Sequence, residues 1–374
     1  MIKLRLHGSM RSSRSKASVV GITVAVSGMI LAACGSSSSG TSSNSGTSNS
    51  AAPTTTSASA AAAAYFKGKT ITLIAPDNPG GGFDQYARIV APALAKYLGA
   101  TVNVENVNGG GTVVGTNQMA AAKPDGLTLG VVNTGGDIAS LIEKQPGQSF
   151  DLTKLSWVGQ AGSSPSVLIT SPNSGVTSFS QLLKVKTPIK VVDVRNGTGD
   201  MFNRIVLGAF NIPHTFITGF TSTGTLKQGF LAGDGQYAFE NMPTFLSMLN
   251  GGQAKALLVT TKPTLPVLVK AAGTAVTLSE ALSSATLTAP QTAAINEAIA
   301  LSALDYDFAG PPGIPAARLA VLRDAFQKAV ADPTTVAQAT KEGEPLGFID
   351  GASVATQVTT AITNGATIST YVNG

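Results

Sequence analysis

Ile71-Thr72-Leu73-Ile74-Ala75-Pro76-Asp77-Asn78-Pro79-Gly80-Gly81-Gly82-Phe83-Asp84-Gln85-Tyr86-Ala87-Arg88 is the stretch that decides the fold. An apolar, β-prone run ends in a turn cluster and three glycines follow. Ala87, Ile89, Val90, Ala93, Leu94 and Leu98 then recur at helical spacing. A strand that reaches a helix through glycines leaves unpaired N–H groups at the helix start, and the helix dipole favours negative charge there. The spacing fits neither the P-loop, which needs Gly-Lys-Ser/Thr, nor the dinucleotide fingerprint. Two readings stand on this stretch alone: an anion site, or a tight turn without a ligand.

The N-terminus says where such a site operates. Lys3, Arg5, Arg11, Arg14 and Lys16 precede a mostly apolar run over residues 17–33, closed by Leu31-Ala32-Ala33-Cys34-Gly35. This pattern predicts a lipoprotein signal peptide over 1–33, with Cys34 as the lipid-modified mature N-terminus. The alternative is a transmembrane anchor, but Ser18, Gly21, Ser27 and Gly28 interrupt a run already short for a span of ~20 residues. Cys34 is the only cysteine, so no disulfide is possible within the chain. The chain holds 25 Lys+Arg and 20 Asp+Glu, and five of the basic residues but no acidic ones precede Cys34. The mature part therefore balances, and the basic excess argues for targeting rather than for nucleic acid. Residues 35–64 are almost wholly Ser, Thr, Gly, Ala and Asn. They predict a flexible tether over 34–64, reaching roughly 30 Å on average.

From about Tyr65 onward, strand and helix patterns alternate. Strands are expected at 70–75, 102–107, 127–132, 166–170, 189–194, 236–240 and 256–260. Helices are expected at 84–98, 115–122, 178–186, 201–210, 223–232, 243–250, 290–302, 315–331, 334–342 and 351–365. This alternation predicts α/β layers with mainly parallel sheets. His7 leaves with the signal, so His214 is the one histidine of the mature chain. A Cys/His metal cluster and a Cys–His dyad are thereby excluded. His214 sits in a helix-to-strand connection without a nucleophile elbow, and reads as structural. The single Trp157 reads as a packing anchor near a domain crossing. No catalytic residue, metal ligand or cofactor is expected.

Further stretches repeat the strand, Gly-loop, helix logic: Val102-Asn103-Val104-Glu105-Asn106-Val107-Asn108-Gly109-Gly110-Gly111 and Val192-Asp193-Val194-Arg195-Asn196-Gly197-Thr198-Gly199-Asp200-Met201-Phe202-Asn203. Lys123-Pro124-Asp125-Gly126-Leu127-Thr128-Leu129 opens a strand, and Leu231-Ala232-Gly233-Asp234 precedes another turn. In this order, with Pro79 through Arg88, Lys255–Val259 continuing to Thr260, and residues 309–315, they resemble the Bug family. These are extracytoplasmic solute receptors of tripartite tricarboxylate transporters. The resemblance covers about residues 65–374.

The resemblance implies a two-lobed periplasmic-binding-protein type II fold, each lobe a mainly parallel sheet flanked by helices. Lobe 1 would hold 65–165 plus 290–374, and lobe 2 would hold 166–289. It implies a monomeric receptor outside the cytoplasm, on the cell surface or in a periplasm, holding a small tricarboxylate- or dicarboxylate-like ligand between the lobes for membrane permease subunits. The first wall is expected at Asn78, Gly81, Gly82, Phe83 and Asp84, with Asn133 and Thr134 after the strand 127–132. Asp84 is expected to cap its helix, and Gly82 to let the ligand approach the backbone. The opposing wall is expected at Gly197, Thr198, Gly199 and Asp200, with Ser222, Thr223 and Asn241. Departures from the family pattern include Asn108 for a proline, Asp200 for a serine and Asn203 for a histidine. Asp200 would repel a carboxylate unless it caps its own helix or meets Arg195 or Arg204. A surface hydrolase using cleft carboxylates and an orphan sensor without a permease are the alternatives.

The anchor generates a first prediction. Cys34→Ala should abolish lipid labelling and leave the precursor uncleaved, read by gel mobility. Unchanged labelling and mobility would refute the lipobox reading.

Overall fold

The computed structural model describes residues 55–372. Cys34, the signal segment and residues 34–54 of the expected tether lie outside the described residues. Helix α1 (Thr55–Phe66) leads into β1 (Thr70–Ala75), α2 (Gly82–Leu98), β2 (Thr101–Asn106), α3 (Val113–Ala120), β3 (Thr128–Val132), α4 (Thr134–Ile142) and β4 (Ser156–Gln160). A second set follows: β5 (Ser166–Thr170), α5 (Phe179–Leu182), β6 (Ile189–Val192), α6 (Thr198–Ala209), β7 (His214–Ile217), α7 (Thr223–Ala232), β8 (Tyr237–Asn241), α8 (Met242–Asn250), β9 (Lys255–Val259), α9 (Pro266–Ala272) and β10 (Val276–Thr277). The chain returns through α10 (Leu278–Ser284) and α11 (Ala289–Leu301) to β11 (Asp307–Gly310), α12 (Ala316–Val330), α13 (Pro333–Glu342), β12 (Ile349–Asp350), α14 (Gly351–Asn364) and α15 (Ser369–Val372).

Two six-stranded sheets result, ordered β12-β4-β11-β3-β1-β2 and β10-β9-β5-β8-β6-β7. They match in five strands and differ at one edge, where β12 runs antiparallel to β4 but β10 parallel to β9. In one, β1 pairs parallel with β2 and β3; in the other, β6 pairs parallel with β7 and β8. Most strands of each sheet run the same way, as expected, but the sheets are mixed, because β11 runs antiparallel to β3 and β4, and β5 antiparallel to β8 and β9. Each of these strands is the first laid down after the chain changes sheets. Arriving from the other lobe, it is not the second strand of a βαβ crossover within its own sheet and enters in the opposite direction.

Local sequence accounts for the elements that frame the space between the lobes. Helix α2 buries Phe83, Tyr86, Ala87, Val90, Leu94 and Leu98 along one stripe, and it stops at Gly99, whose φ of 63° only glycine adopts cheaply. Helix α4 was absent from the sequence reading, since Thr134-Gly135-Gly136 signals a turn. It forms because the Asn133 side chain accepts the Gly136 N–H at 3.2 Å and caps it. One apolar cluster runs through both halves, from Ile74, Val132 and Trp157 to Leu168, Val191, Phe202 and Phe239. Trp157 is fully enclosed and donates its indole N–H to Leu152 O at 3.1 Å.

One boundary needs correction. The tether was expected to run to residue 64, yet α1 starts at Thr55. Ala60–Ala64 is a run of the best helix former, and Phe66 gives the helix an anchor with no exposed surface. Helix α1 packs on α12, and Gly126 and Leu322 meet the Phe66 ring. Phe66→Ala should therefore cost about 3–5 kcal/mol in denaturant unfolding. A loss below about 1 kcal/mol, the level of an exposed position, would show that α1 merely rests on the surface.

Candidate functional site

The opposed walls between the lobes are built by the same device twice. Gly81 precedes α2 with φ −76° and ψ 166°, and Gly197 precedes α6 with φ −77° and ψ 168°. Three residues into each helix start stands an aspartate, with an arginine four residues further on. Asp84 accepts the Gly80 N–H at 2.8 Å and Arg88 Nε at 2.8 Å. Asp200 accepts the Asn196 N–H at 2.9 Å and Arg204 Nε at 2.6 Å. Both carboxyls reach back over their own first turn, satisfy a loop N–H and lie opposite the helix dipole's positive end. Burial alone would raise the Asp84 carboxyl. Bonds from Arg88, Gly80 and Asn106 outweigh that and hold it below its ordinary range. Asp200 is raised by burial and by neighbouring Asp193, a carboxyl raised by burial in its turn.

Between these walls lies a cavity. The N-terminal turns of α2, α3 and α4 face it from one lobe, and those of α6, α7 and α8 from the other. Of the residues expected here, Gly82, Phe83, Asn133, Gly197, Thr198, Ser222, Thr223 and Asn241 line it. The other six do not. Asp84 and Asp200 are spent on their helix starts. Asn78 and Gly81 form the turn ahead of α2, joined by the Gly81 N–H to Asn78 O bond at 3.0 Å. Thr134 is turned inward and donates to Asp307 Oδ2 at 2.6 Å. Gly199 is bare for packing: an added Cβ would come 1.9 Å from Phe239 O. Gly82 also serves packing, since a Cβ there would lie 2.7 Å from Tyr306 Oη.

Several lining residues escaped the sequence reading, among them Asp77, Asn108, Thr112, Thr221, Glu240 and Thr244. Thr112 carried the one local signal, directly after Gly109-Gly110-Gly111. Its φ of 101° is a rare conformation for a β-branched residue, of the kind that collects at ligand clamps. Its buried hydroxyl lies near Asp137 but forms no hydrogen bond of ordinary length among the described residues. Asn241 ties the second wall to the returning chain, donating to Tyr306 Oη at 2.7 Å and Asp305 Oδ2 at 3.1 Å. Tyr306 in turn stacks on Tyr86 of α2, ring centroids 3.6 Å apart.

The lobes touch across the cavity. Thr198 Oγ1 donates to Asn133 Oδ1 at 2.9 Å, Asn108 Nδ2 to Thr221 O at 3.4 Å, and Arg195 to Glu143 Oε2 at 3.2 Å. The enclosed space is narrow, with about 50 Å³ open to the centres of water molecules. At ~10–15 Å³ per water, this closed form holds a few waters or a small ligand.

No lining residue is Lys, Arg or His, whereas Asp77 and Glu240 both line the cavity. Burial lifts Asp77 to about 6, against the Asn78 N–H bond that lowers it. Burial lifts Glu240 well above the usual carboxyl range, with Asp193 and Asp77 adding to the effect. Among the described residues, no group of three or more His, Cys, Asp or Glu is placed to hold a metal ion. Amides, hydroxyls and helix starts thus make up most of the polar lining of the cavity. His214 stands apart on β7, its Nδ1 2.8 Å from Ile212 O.

Residues 86–350 match the family described as tripartite tricarboxylate transporter family receptor. The chain is 29% identical to protein BugT of Bordetella pertussis over 208 residues, covering 52% of this chain and 61% of BugT. It therefore spans about three-fifths of that relative's length. Among solved structures it is similar to the periplasmic binding protein BugD, with a TM-score of 0.64 at 20% identity over 80% of this chain and 95% of that one. MatC from Rhodopseudomonas palustris with bound malate gives 0.63 at 20% identity over 80% and 99%. An R. palustris protein with adipate gives 0.64 at 18% identity over 81% and 97%. At such identities the structures speak for the two-lobed fold, and the family match carries the assignment: this chain belongs to the tripartite tricarboxylate transporter family of receptors.

Proposed function

We propose that the protein is a lipid-anchored, extracytoplasmic receptor that closes its lobes on a small carboxylate and delivers it to a tripartite tricarboxylate transporter permease. The observation that carries this reading is the convergence of six helix N-termini on one cavity. Their first-turn N–H groups need acceptors, and an oxygen anion supplies them through charge-assisted hydrogen bonds. Malate and adipate in the two R. palustris relatives are ligands of this chemistry. Hydroxyls of Thr198, Ser222 and Thr223 and the amide of Asn133 add directional contacts. Closure would expel water and strengthen each of them. The family match to transporter receptors supports binding rather than catalysis.

Anchoring through Cys34 would place the receptor on the cell surface, or in a periplasm where an outer membrane exists, as a monomer able to meet its permease. Among the described residues no helix is long and apolar enough to cross a membrane.

Thermal unfolding in the presence of small mono-, di- and tricarboxylates tests the reading. At least one should bind saturably, adding about 2.7 kcal/mol of stability at a hundredfold excess over Kd. Failure of the whole series at millimolar concentration would refute it. Thr198→Val keeps the side-chain shape but removes the bridge to Asn133 across the cavity. It should weaken binding about tenfold, the ~1.4 kcal/mol expected of one lost hydrogen bond. Undiminished affinity would show that the bridge does not contribute to closure.

A further inference from the structure

We propose that Asp77 and Glu240 make this receptor selective for a carboxylate that also carries an ammonium group, an amino-acid-like zwitterion, over the corresponding simple acid. The inference rests on the reading of the cavity as a carboxylate site. It goes further by assigning the ligand's second charge.

The two acids come from opposite lobes. Asp77 follows β1 in the first, and Glu240 lies on β8 in the second. They are 8% and 4% exposed, and both line the cavity. Glu240 feels the charge of Asp77, and none of the cavity's lining residues is a cation that could offset the two acids. Other charges act from outside the lining: Asp193 and Asp305 on Glu240, and Asp84 and Lys227 on Asp77. Lys227 is the one cation in that set. A dianion filling this space would hold the two buried carboxyls in their neutral forms, whereas a cation between them would let them ionise and pair with it.

The start of α2 makes the point more sharply. Asp77 Oδ1 accepts the Asn78 N–H at 2.7 Å, and a Cβ placed on Gly81 would lie 1.7 Å from Oδ2. The protein's own carboxyl thus stands over the first turn of α2, where a ligand carboxylate was expected. Ligand oxygens are left the other helix starts, where Asn133, Thr198, Ser222 and Thr223 present polar groups and the buried Thr112 hydroxyl makes no hydrogen bond of ordinary length among the described residues. Asp77 and Glu240 then face the remainder of the ligand. Among the described residues the pair is not part of any group of three or more His, Cys, Asp or Glu placed to hold a metal ion. An ammonium, which donates three hydrogen bonds, can be shared between two carboxyls from opposite lobes and so reward closure.

Isothermal titration of the mature receptor with matched pairs tests this: succinate against aspartate, and glutarate against glutamate. The amino member of at least one pair should bind ten-fold or more tightly than its partner. Glu240→Gln and Asp77→Asn, which keep size and hydrogen-bonding capacity, should each reduce that preference below threefold and leave the simple diacid as tight or tighter. Equal or tighter wild-type binding of the simple diacids would overturn the proposal. A diacid affinity weakened by Glu240→Gln would also overturn it, since the acid would then be acting as a proton-bearing donor to ligand oxygen. A preference that survives both variants would overturn the assignment to these residues. Loss of binding across both pairs and every other carboxylate would instead refute the carboxylate reading on which the proposal rests. The wild-type comparison needs no variant to fold.

Discussion

A helix begins with N–H groups that its own backbone cannot satisfy, and this protein turns six such beginnings toward one space. Much else in the structure serves that arrangement. The parallel strands β1 to β3 and β6 to β8 end on the same side of their sheets and deliver their helices there. The caps Asn133 and Ser222 satisfy part of each first turn while presenting polar atoms to the cavity. Asp84 and Asp200 reach back over their own helices and leave the cavity side to backbone and hydroxyl groups. The repeated pattern of glycine, aspartate and arginine in the two lobes follows from a single requirement met on both walls.

Buried acids run against that field. Asp77 and Glu240 are held in a space whose surroundings favour anions, and burial raises both toward their neutral forms. Asp305 nearby is also raised, to about 7, by burial, against bonds from Ser164, Tyr306 and Asn241 that lower it. Such groups are costly to leave uncompensated. The polar chain from Asn241 to Tyr306 to the Tyr86 ring holds the second wall, the returning segment and α2 in one register. The cross-cavity bonds from Thr198, Asn108 and Arg195 then depend on that register, since each spans the two lobes.

The strands and helices of the two matched sheets were largely legible, because each carries a period of two or 3.6 bounded by glycines or prolines. Failures had local causes. Residues 55–64 are poor in apolar side chains and read as tether, although the alanine run and Phe66 suffice for a helix docked on α12. β4 escaped because Ser156-Trp157-Val158-Gly159-Gln160 is buried on both faces and shows no alternation. Helix α4 was masked by its glycines. Mixed pairing in each sheet could not be read from strand order along the chain, since β5 and β11 owe their direction to the lobe they come from.

By itself, the sequence determined that two α/β layers would form, that glycine loops would precede helices in each, and that the chain after Cys34 carries a single histidine and no further cysteine. Those are consequences of local periodicity, turn chemistry and composition. It also placed Asp84 and Asp200 at helix starts, where an aspartate's preference for loop N–H groups is itself local. Only the tertiary structure decided which side chains face the cavity. Asp77 and Asp84 lie on the same loop and helix start, yet one lines the cavity and the other is bonded to Arg88 and Asn106. Glu240 sits in a strand buried along its whole length, and its role depends on where the opposite lobe comes to rest. Exposure to a shared cavity is a relation between segments more than a hundred residues apart, set by how two sheets pack, and no local pattern encodes it.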